Sequence, residues 1–147
     1  MNVSSSDNWL IDHTSISVRD INRSVEFYQA LLAPLRITIL MRIDRHFAVT
    51  DDTATDLGGV AFGIDYPVFW IDVFHRPDGY QHIAFRATDR EQVIRSYQAG
   101  LAAGGSDNGG PGDRGGPDGP VGYPPGYYAA FLLDPDGNNI EVLCRES

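Results

Sequence analysis

An internal repeat constrains this chain more than any other feature of its 147 residues. Displacing the sequence by 69 positions places Gln81-His82 under Asp12-His13, Asp89 under Asp20, and Tyr97-Gln98-Ala99 under Tyr28-Gln29-Ala30. With the same displacement and no gap, Leu101-Ala102, Ala130-Phe131, Asp134 and Ile140-Glu141-Val142 fall under Leu32-Ala33, Ala61-Phe62, Asp65 and Ile71-Asp72-Val73. One register held across both ends argues for tandem duplication of a module of roughly 60 to 70 residues. The two modules are expected over residues 9–75 and 79–145, divided at the turn-forming run Arg76-Pro77-Asp78-Gly79.

Each module opens with an alternating strand, over 11–18 and 83–87, and continues into an amphipathic helix. Asp20 and Asp89 are the expected N-caps, because a carboxylate there accepts from the orphan amides of the first turn. Gln92 makes a capping box with Asp89. Val25, Tyr28 and Leu32 recur at helical spacing in the first helix, and Ile94, Tyr97 and Leu101 in the second, which Gly104-Gly105 ends. The remainder reads as extended, over 36–49, 59–64, 68–74, 127–133 and 139–144, with Asp134-Pro135-Asp136-Gly137 joining the last two as a hairpin. The expected fold class is α+β: two tandem βαβββ modules whose curled, mostly antiparallel sheet forms a cleft, with the helices on its outer face. Between them, 104–126 is dominated by Gly and Pro and keeps no period, so it is expected to be a loop, either a tolerated insertion or a lid carrying Tyr123, Tyr127 and Tyr128 at its far end.

Charge narrows the partners. The net charge is −9, and all 11 basic residues are Arg, a balance that repels a phosphate backbone; nucleic acid is excluded as a partner. One cysteine, Cys144, makes no intramolecular disulfide. No apolar run approaches the roughly 20 residues of a membrane span, and the polar start of the chain lacks a signal-peptide pattern, so no membrane partner and a cytoplasmic location are expected.

Strand alternation places His13, Ser15 and Ser17 on one face of the first strand and His82, Ala84 and Arg86 on the same face of its copy. The apolar pairs Ile71/Val73 and Ile140/Val142 must meet the helices, which leaves Asp72 and Glu141 on the uncovered side. Two His and two carboxylates on one face form a mixed nitrogen and oxygen set suited to Zn, Ni, Mn or Fe(II). The competing reading is a face that simply meets solvent, as antiparallel sheets allow. By alternation Trp70 and Phe74 lie near the cleft, and His75 is close enough to Asp72 to substitute or support it; His46 has no repeat counterpart.

His13 on the opening strand, Val18-Arg19-Asp20, Phe27-Tyr28, His82-Ile83-Ala84-Phe85 and the closing Asp134-Pro135-Asp136-Gly137-Asn138-Asn139-Ile140-Glu141 together resemble the vicinal oxygen chelate superfamily, which includes glyoxalase I, bleomycin-resistance proteins and extradiol dioxygenases. The resemblance spans residues 9–144. It implies paired βαβββ modules and a divalent metal held by residues matching His13, Asp72, His82 and Glu141, with the metal acting as a Lewis acid toward vicinal oxygens of a small substrate. It implies an enzyme of isomerase or lyase type, with Glu141 as the candidate base and Ser15, Ser17, Trp70, Phe74, Arg86, Tyr123, Tyr127 and Tyr128 lining the substrate cleft. The alternatives it leaves open are a non-catalytic antibiotic-binding protein of the bleomycin-resistance type and an extradiol-type dioxygenase. Ser17 stands where glyoxalase I carries an Arg that helps bind glutathione. Glyoxalase-like proteins of this length commonly pair across a two-fold axis, so a homodimer is expected, with sites drawn from both chains.

Overall fold

Alternating apolar residues give way to helical spacing once in each half of the chain, and the architecture follows that change. The structure, a computed structural model, describes residues 11–75, 78–115, 123 and 125–145. The first half runs β1 (Thr14–Ser17), α1 (Ile21–Leu32), a short 3-10 turn, β2 (Thr38–Asp44), β3 (Val49–Thr50), β4 (Leu57–Gly63) and β5 (Pro67–Asp72). The second runs β6 (His82–Arg86), α2 (Arg90–Ala102), β7 (Ser106–Asp107), β8 (Gly112–Asp113), β9 (Tyr127–Leu133) and β10 (Asn139–Arg145). One sheet has the order β1-β5-β4-β2-β3; the other has β6-β10-β9-β7, with β8 also on β9. In each sheet the opening strand lies parallel to the closing one, as the intervening helical crossover requires, and the remaining pairs are antiparallel. This is the expected α+β pair of βαβββ units. No helix among the described residues is long and apolar enough to cross a membrane.

The second unit departs from expectation in the Gly- and Pro-rich stretch. Both β7 and β8 lie within 104–126, because the outer edge of β9 otherwise leaves its amides and carbonyls unpaired. The amide of Asn108 donates to the Phe131 carbonyl at 3.0 Å, and the Phe131 amide to the Gly109 carbonyl at 2.7 Å. The central part of that stretch, 116–122 and 124, lies outside the described residues, as does the expected module boundary at 76–77.

Both helices are capped as their sequences require. Asp20 accepts from the Arg23 amide at 3.2 Å and Asp89 from the Gln92 amide at 2.8 Å. The Gln92 side chain reaches back to the Thr88 amide at 2.9 Å, one residue before the cap itself. Helix α1 buries Phe27, Tyr28, Leu31 and Leu32 completely, whereas α2 turns Val93, Ser96 and Gly100 inward. These small groups let the helices touch: the Ser96 hydroxyl donates to the Leu31 carbonyl at 2.5 Å, and a Cβ on Gly100 would stand 2.8 Å from Leu31 Cδ1. One apolar core runs through both halves, with Phe69 and Phe85 edge to face at 5.0 Å across the junction. The helices therefore cover one face of both sheets and leave the other for the site.

A second tie between the halves is polar. The buried Tyr28 hydroxyl donates to Asp134 Oδ2 at 2.6 Å. Asp134 also accepts from the Asp136 and Asn138 amides at 2.9 and 2.8 Å and from Asn138 Nδ2 at 2.9 Å, while Asn138 Oδ1 accepts from the Gln81 amide at 2.9 Å. The hairpin motif thus clamps itself onto α1 and β6, and in doing so fixes where β10 begins.

The repeat is not of constant offset. In the first sheet Ser15 lies opposite Trp70 and Ser17 opposite Asp72. In the second, Ala84 lies opposite Glu141. Ser15 and Ala84 each stand two residues beyond their module's histidine, so the position equivalent to Glu141 is Trp70, and Asp72 sits one alternation further along. The core-facing residues agree: Val60 and Phe62 in β4 correspond to Ala130 and Leu132 in β9, and Phe69 and Ile71 in β5 to Ile140 and Val142 in β10. The displacement grows from 69 at the opening strands to 70 at the third and 71 at the last. A slip of two residues preserves the face and changes only the depth, by about 6.5 to 7 Å.

Candidate functional site

The open face of the first sheet carries a cavity of about 200 Å³ lined by His13, Ser15, Ile43, Trp70, Asp72 and Phe74. His13 immediately precedes β1, and its Nδ1 donates to Asp12 Oδ1 at 2.7 Å, an oxygen that also accepts from the Tyr66 hydroxyl at 2.9 Å. Those two donors, His13 first, hold the Asp12 carboxyl below its ordinary value. With Nδ1 protonated, neutral His13 offers its lone pair at Nε2. Asp72, 4% exposed, is already engaged: its Oδ1 accepts from the Phe74 and His75 amides at 2.9 and 3.3 Å and from His75 Nδ1 at 2.9 Å. The Asp72 carboxylate closes the end of β5 as a turn-forming acceptor. Ser15 and Ser17 continue the face into a cavity of about 350 Å³ shared with His75 and Gln81. Phe74 stacks on Phe47 at 4.3 Å, and the left-handed backbone of Phe47, at φ 65°, holds that ring out from the β2–β3 turn.

The matching face of the second sheet gathers a tighter polar group. His82 Nδ1 donates to the Asn139 carbonyl at 2.9 Å, which fixes the proton on Nδ1 and aims Nε2 at Glu141 Oε2, 3.3 Å away. Glu141 is 4% exposed, and its Oε1 accepts from the Tyr127 hydroxyl at 2.5 Å. Burial first, and then the carboxylate it serves, push the Tyr127 phenol well above its ordinary value. The Tyr127 ring packs with Ala129 and Leu143 and meets Tyr123 at 4.6 Å. Arg86 is exposed at the far end of β6, opposite Leu143.

Tyr128, one of the expected cleft residues, does not reach the open face. It packs on the main core, with the Arg90 guanidinium 4.8 Å above its ring, so it faces the helices rather than the cleft. Adjacent strand residues point to opposite faces, and Tyr127 takes the open side. Alternation could have excluded Tyr128; nothing in the spacing signals the Tyr127 to Glu141 bond. Among the described residues no three His, Cys, Asp or Glu side chains converge within one chain. His13 adjoins the first sheet, and the His82–Glu141 pair lies on the second.

The family model of the glyoxalase/bleomycin resistance protein/dioxygenase superfamily matches residues 10–142. Among solved structures, a glyoxalase/bleomycin resistance protein from Albidiferax ferrireducens is 28% identical, with a TM-score of 0.68 over 93% of this chain and 100% of that one. A glyoxalase/bleomycin resistance protein/dioxygenase family enzyme from Burkholderia phytofirmans is 16% identical, with a TM-score of 0.61 over 92% of this chain and 98% of its own. Glyoxalase I from Zea mays is 18% identical, with a TM-score of 0.60 over 93% of this chain and 44% of that longer one. The last two likenesses are of fold. No match was found among curated proteins.

Proposed function

Because this chain belongs to the glyoxalase/bleomycin resistance protein/dioxygenase superfamily, we propose that it is a metal-dependent member acting on a small oxygenated molecule, with His13, His82 and Glu141 as the metal ligands. The observation that carries this reading is the second half-site. His82 Nε2 and Glu141 Oε2 stand 3.3 Å apart, with Nδ1 bound to a carbonyl and Oε1 to a phenol, so each side chain turns its remaining donor atom toward the other. Such outer hydrogen bonds orient metal-ligating imidazoles and carboxylates. His13, with Nδ1 on Asp12, offers the same tautomer. Asp72, offset along its strand and committed to the β5 turn, does not belong to this set.

A bound divalent cation would supply Lewis acidity toward two adjacent substrate oxygens. The chain's own residues do the rest. Glu141 Oε2, when displaced from the cation, is the carboxylate atom placed to hold or move a proton beside His82, which suits isomerase or lyase chemistry. Trp70 and Phe74 form an apolar wall beside His13 that excludes water from a bound substrate. A second reading, oxygenation by Fe(II), is favoured by the ligand count, since two His and one carboxylate leave open positions suited to that metal.

The half-sites complete each other in a homodimer, each site taking His13 from one chain and His82 with Glu141 from its partner. Metal content after chelator-free purification tests the metal reading, and its identity separates Fe(II) oxygenation from Zn, Ni or Mn chemistry. A protein that retains none of these after dialysis against each leaves the non-catalytic, antibiotic-binding reading in its place. Complementation tests the pairing. Mixing His13→Ala and His82→Ala chains under exchange conditions should restore one metal site per mixed dimer, and within-chain sites would recover nothing.

A further inference from the structure

We propose, resting on the metal reading above, that Tyr127 is the positioning residue for Glu141: its hydroxyl takes one carboxylate oxygen so that only the other is presented beside His82. A free glutamate rotates about three side-chain torsions and offers its two oxygens interchangeably. Here Oε1 is taken by the Tyr127 hydroxyl at 2.5 Å, while Oε2 lies 3.3 Å from His82 Nε2. The phenol can do this only if its own ring is held, and it is held on three sides. Ala129 and Leu143 pack against it, Tyr123 meets it at 4.6 Å, and the Arg145 guanidinium lies 5.6 Å from its centroid. A neutral phenol in a buried place donates to a carboxylate without contributing a competing charge, and hydrogen bonds of this kind are among the stronger ones. The backbone adds the last constraint, since Tyr127 on β9 pairs with Arg145 on β10, four residues beyond Glu141 on that strand. Tyr127 does not touch a substrate in this account. It acts through Glu141, and Tyr123 links it to the end of the Gly- and Pro-rich stretch.

Tyr127→Phe removes the hydroxyl and keeps the ring, so the packing on Ala129 and Leu143 is retained while Glu141 is released. In crystals of the metal-free proteins, Glu141 Oε2 should leave hydrogen-bonding reach of His82 Nε2 in the variant and stay in the wild type. In solution, Co(II) affinity measured by chelator competition should fall about 10- to 100-fold. A carboxylate that keeps its place beside His82 in the variant overturns the proposal, and so does an unchanged Co(II) affinity in a wild type that binds the ion. If the wild type binds no Co(II), the metal reading fails instead, and the metal-free structures decide the role of Tyr127 by themselves. Should Tyr127→Phe not fold, crystals of metal-free Glu141→Ala take its place. The Tyr127 ring, held by Ala129, Leu143 and Tyr123, should keep its position; a ring that turns away follows the carboxylate instead of holding it, which overturns the proposal.

Discussion

Replacing Tyr28 with Phe removes one hydroxyl from the interior and leaves the aromatic contacts with Phe27 and Phe69, at 4.9 and 5.1 Å, in place. What is lost is a 2.6 Å bond to Asp134, made in a fully buried position. Hydrogen bonds to charged groups contribute about 1.5 to 3 kcal/mol. Asp134 retains the Asn138 side chain and two backbone amides, so its carboxylate is not orphaned and a cost of about 2 kcal/mol is expected. For 147 residues the unfolding entropy is about 0.3 kcal/mol per degree, which converts that cost to a Tm lower by about 6 °C at pH 8. The same bond makes a prediction in alkali. Burial, and then Asp134, push the Tyr28 phenol well above its ordinary value. Above about pH 10 the unfolded chain loses this proton and the folded one keeps it, so the contribution is whole below pH 10 and declines as pH rises. At pH 11 ionisation of the unfolded tyrosine offsets about 1.4 kcal/mol, and the difference between wild type and Tyr28→Phe narrows to about 2 °C. Differential scanning calorimetry at both pH values measures this. A variant within 1 °C of wild type at pH 8, or a gap that does not narrow by pH 11, would refute the reasoning.

Asp72→Asn retains an oxygen for the Phe74 and His75 amides, so metal per chain by mass spectrometry should match the wild type, whereas Glu141→Gln should lower it sharply; equal losses would return Asp72 to the ligand set. Gly63→Ala would place a Cβ 1.8 Å from the Tyr66 carbonyl oxygen, a backbone atom that cannot swing aside, and should cost about 3 kcal/mol in urea denaturation. A wild-type midpoint for that variant would mean that the β4–β5 connection is looser than described.

The equivalence of Asp72 with Glu141 inferred from the repeat does not hold, and the reason is definite. A gapless match of Ile71-Asp72-Val73 with Ile140-Glu141-Val142 assigns the correct face to every residue, because strand side chains repeat every two positions. Depth along the strand carries no such mark. Parallel pairing with β1 and β6 sets it, and places Trp70, not Asp72, level with Glu141. Tyr128 was misplaced for the opposite reason, since its neighbour Tyr127 alone could take the open face.

Local physics written along the chain determined the α+β class, the capped helices at Asp20 and Asp89, the two-fold repetition of the strand and helix order, and the side of the sheet on which His13, His82 and Glu141 emerge. These follow from periodicities of 3.6 and 2 residues and from unpaired amides at helix starts, which depend only on near neighbours. Contacts between residues distant in sequence were decided by tertiary structure. Tyr28 finds Asp134 only when α1 packs over the second unit, Tyr127 finds Glu141 only across the β9–β10 pair, and Trp70 rather than Asp72 stands level with Glu141 only once the strands have chosen their register. A polar residue's partner is fixed by where the core brings the backbone, and no local periodicity encodes that distance.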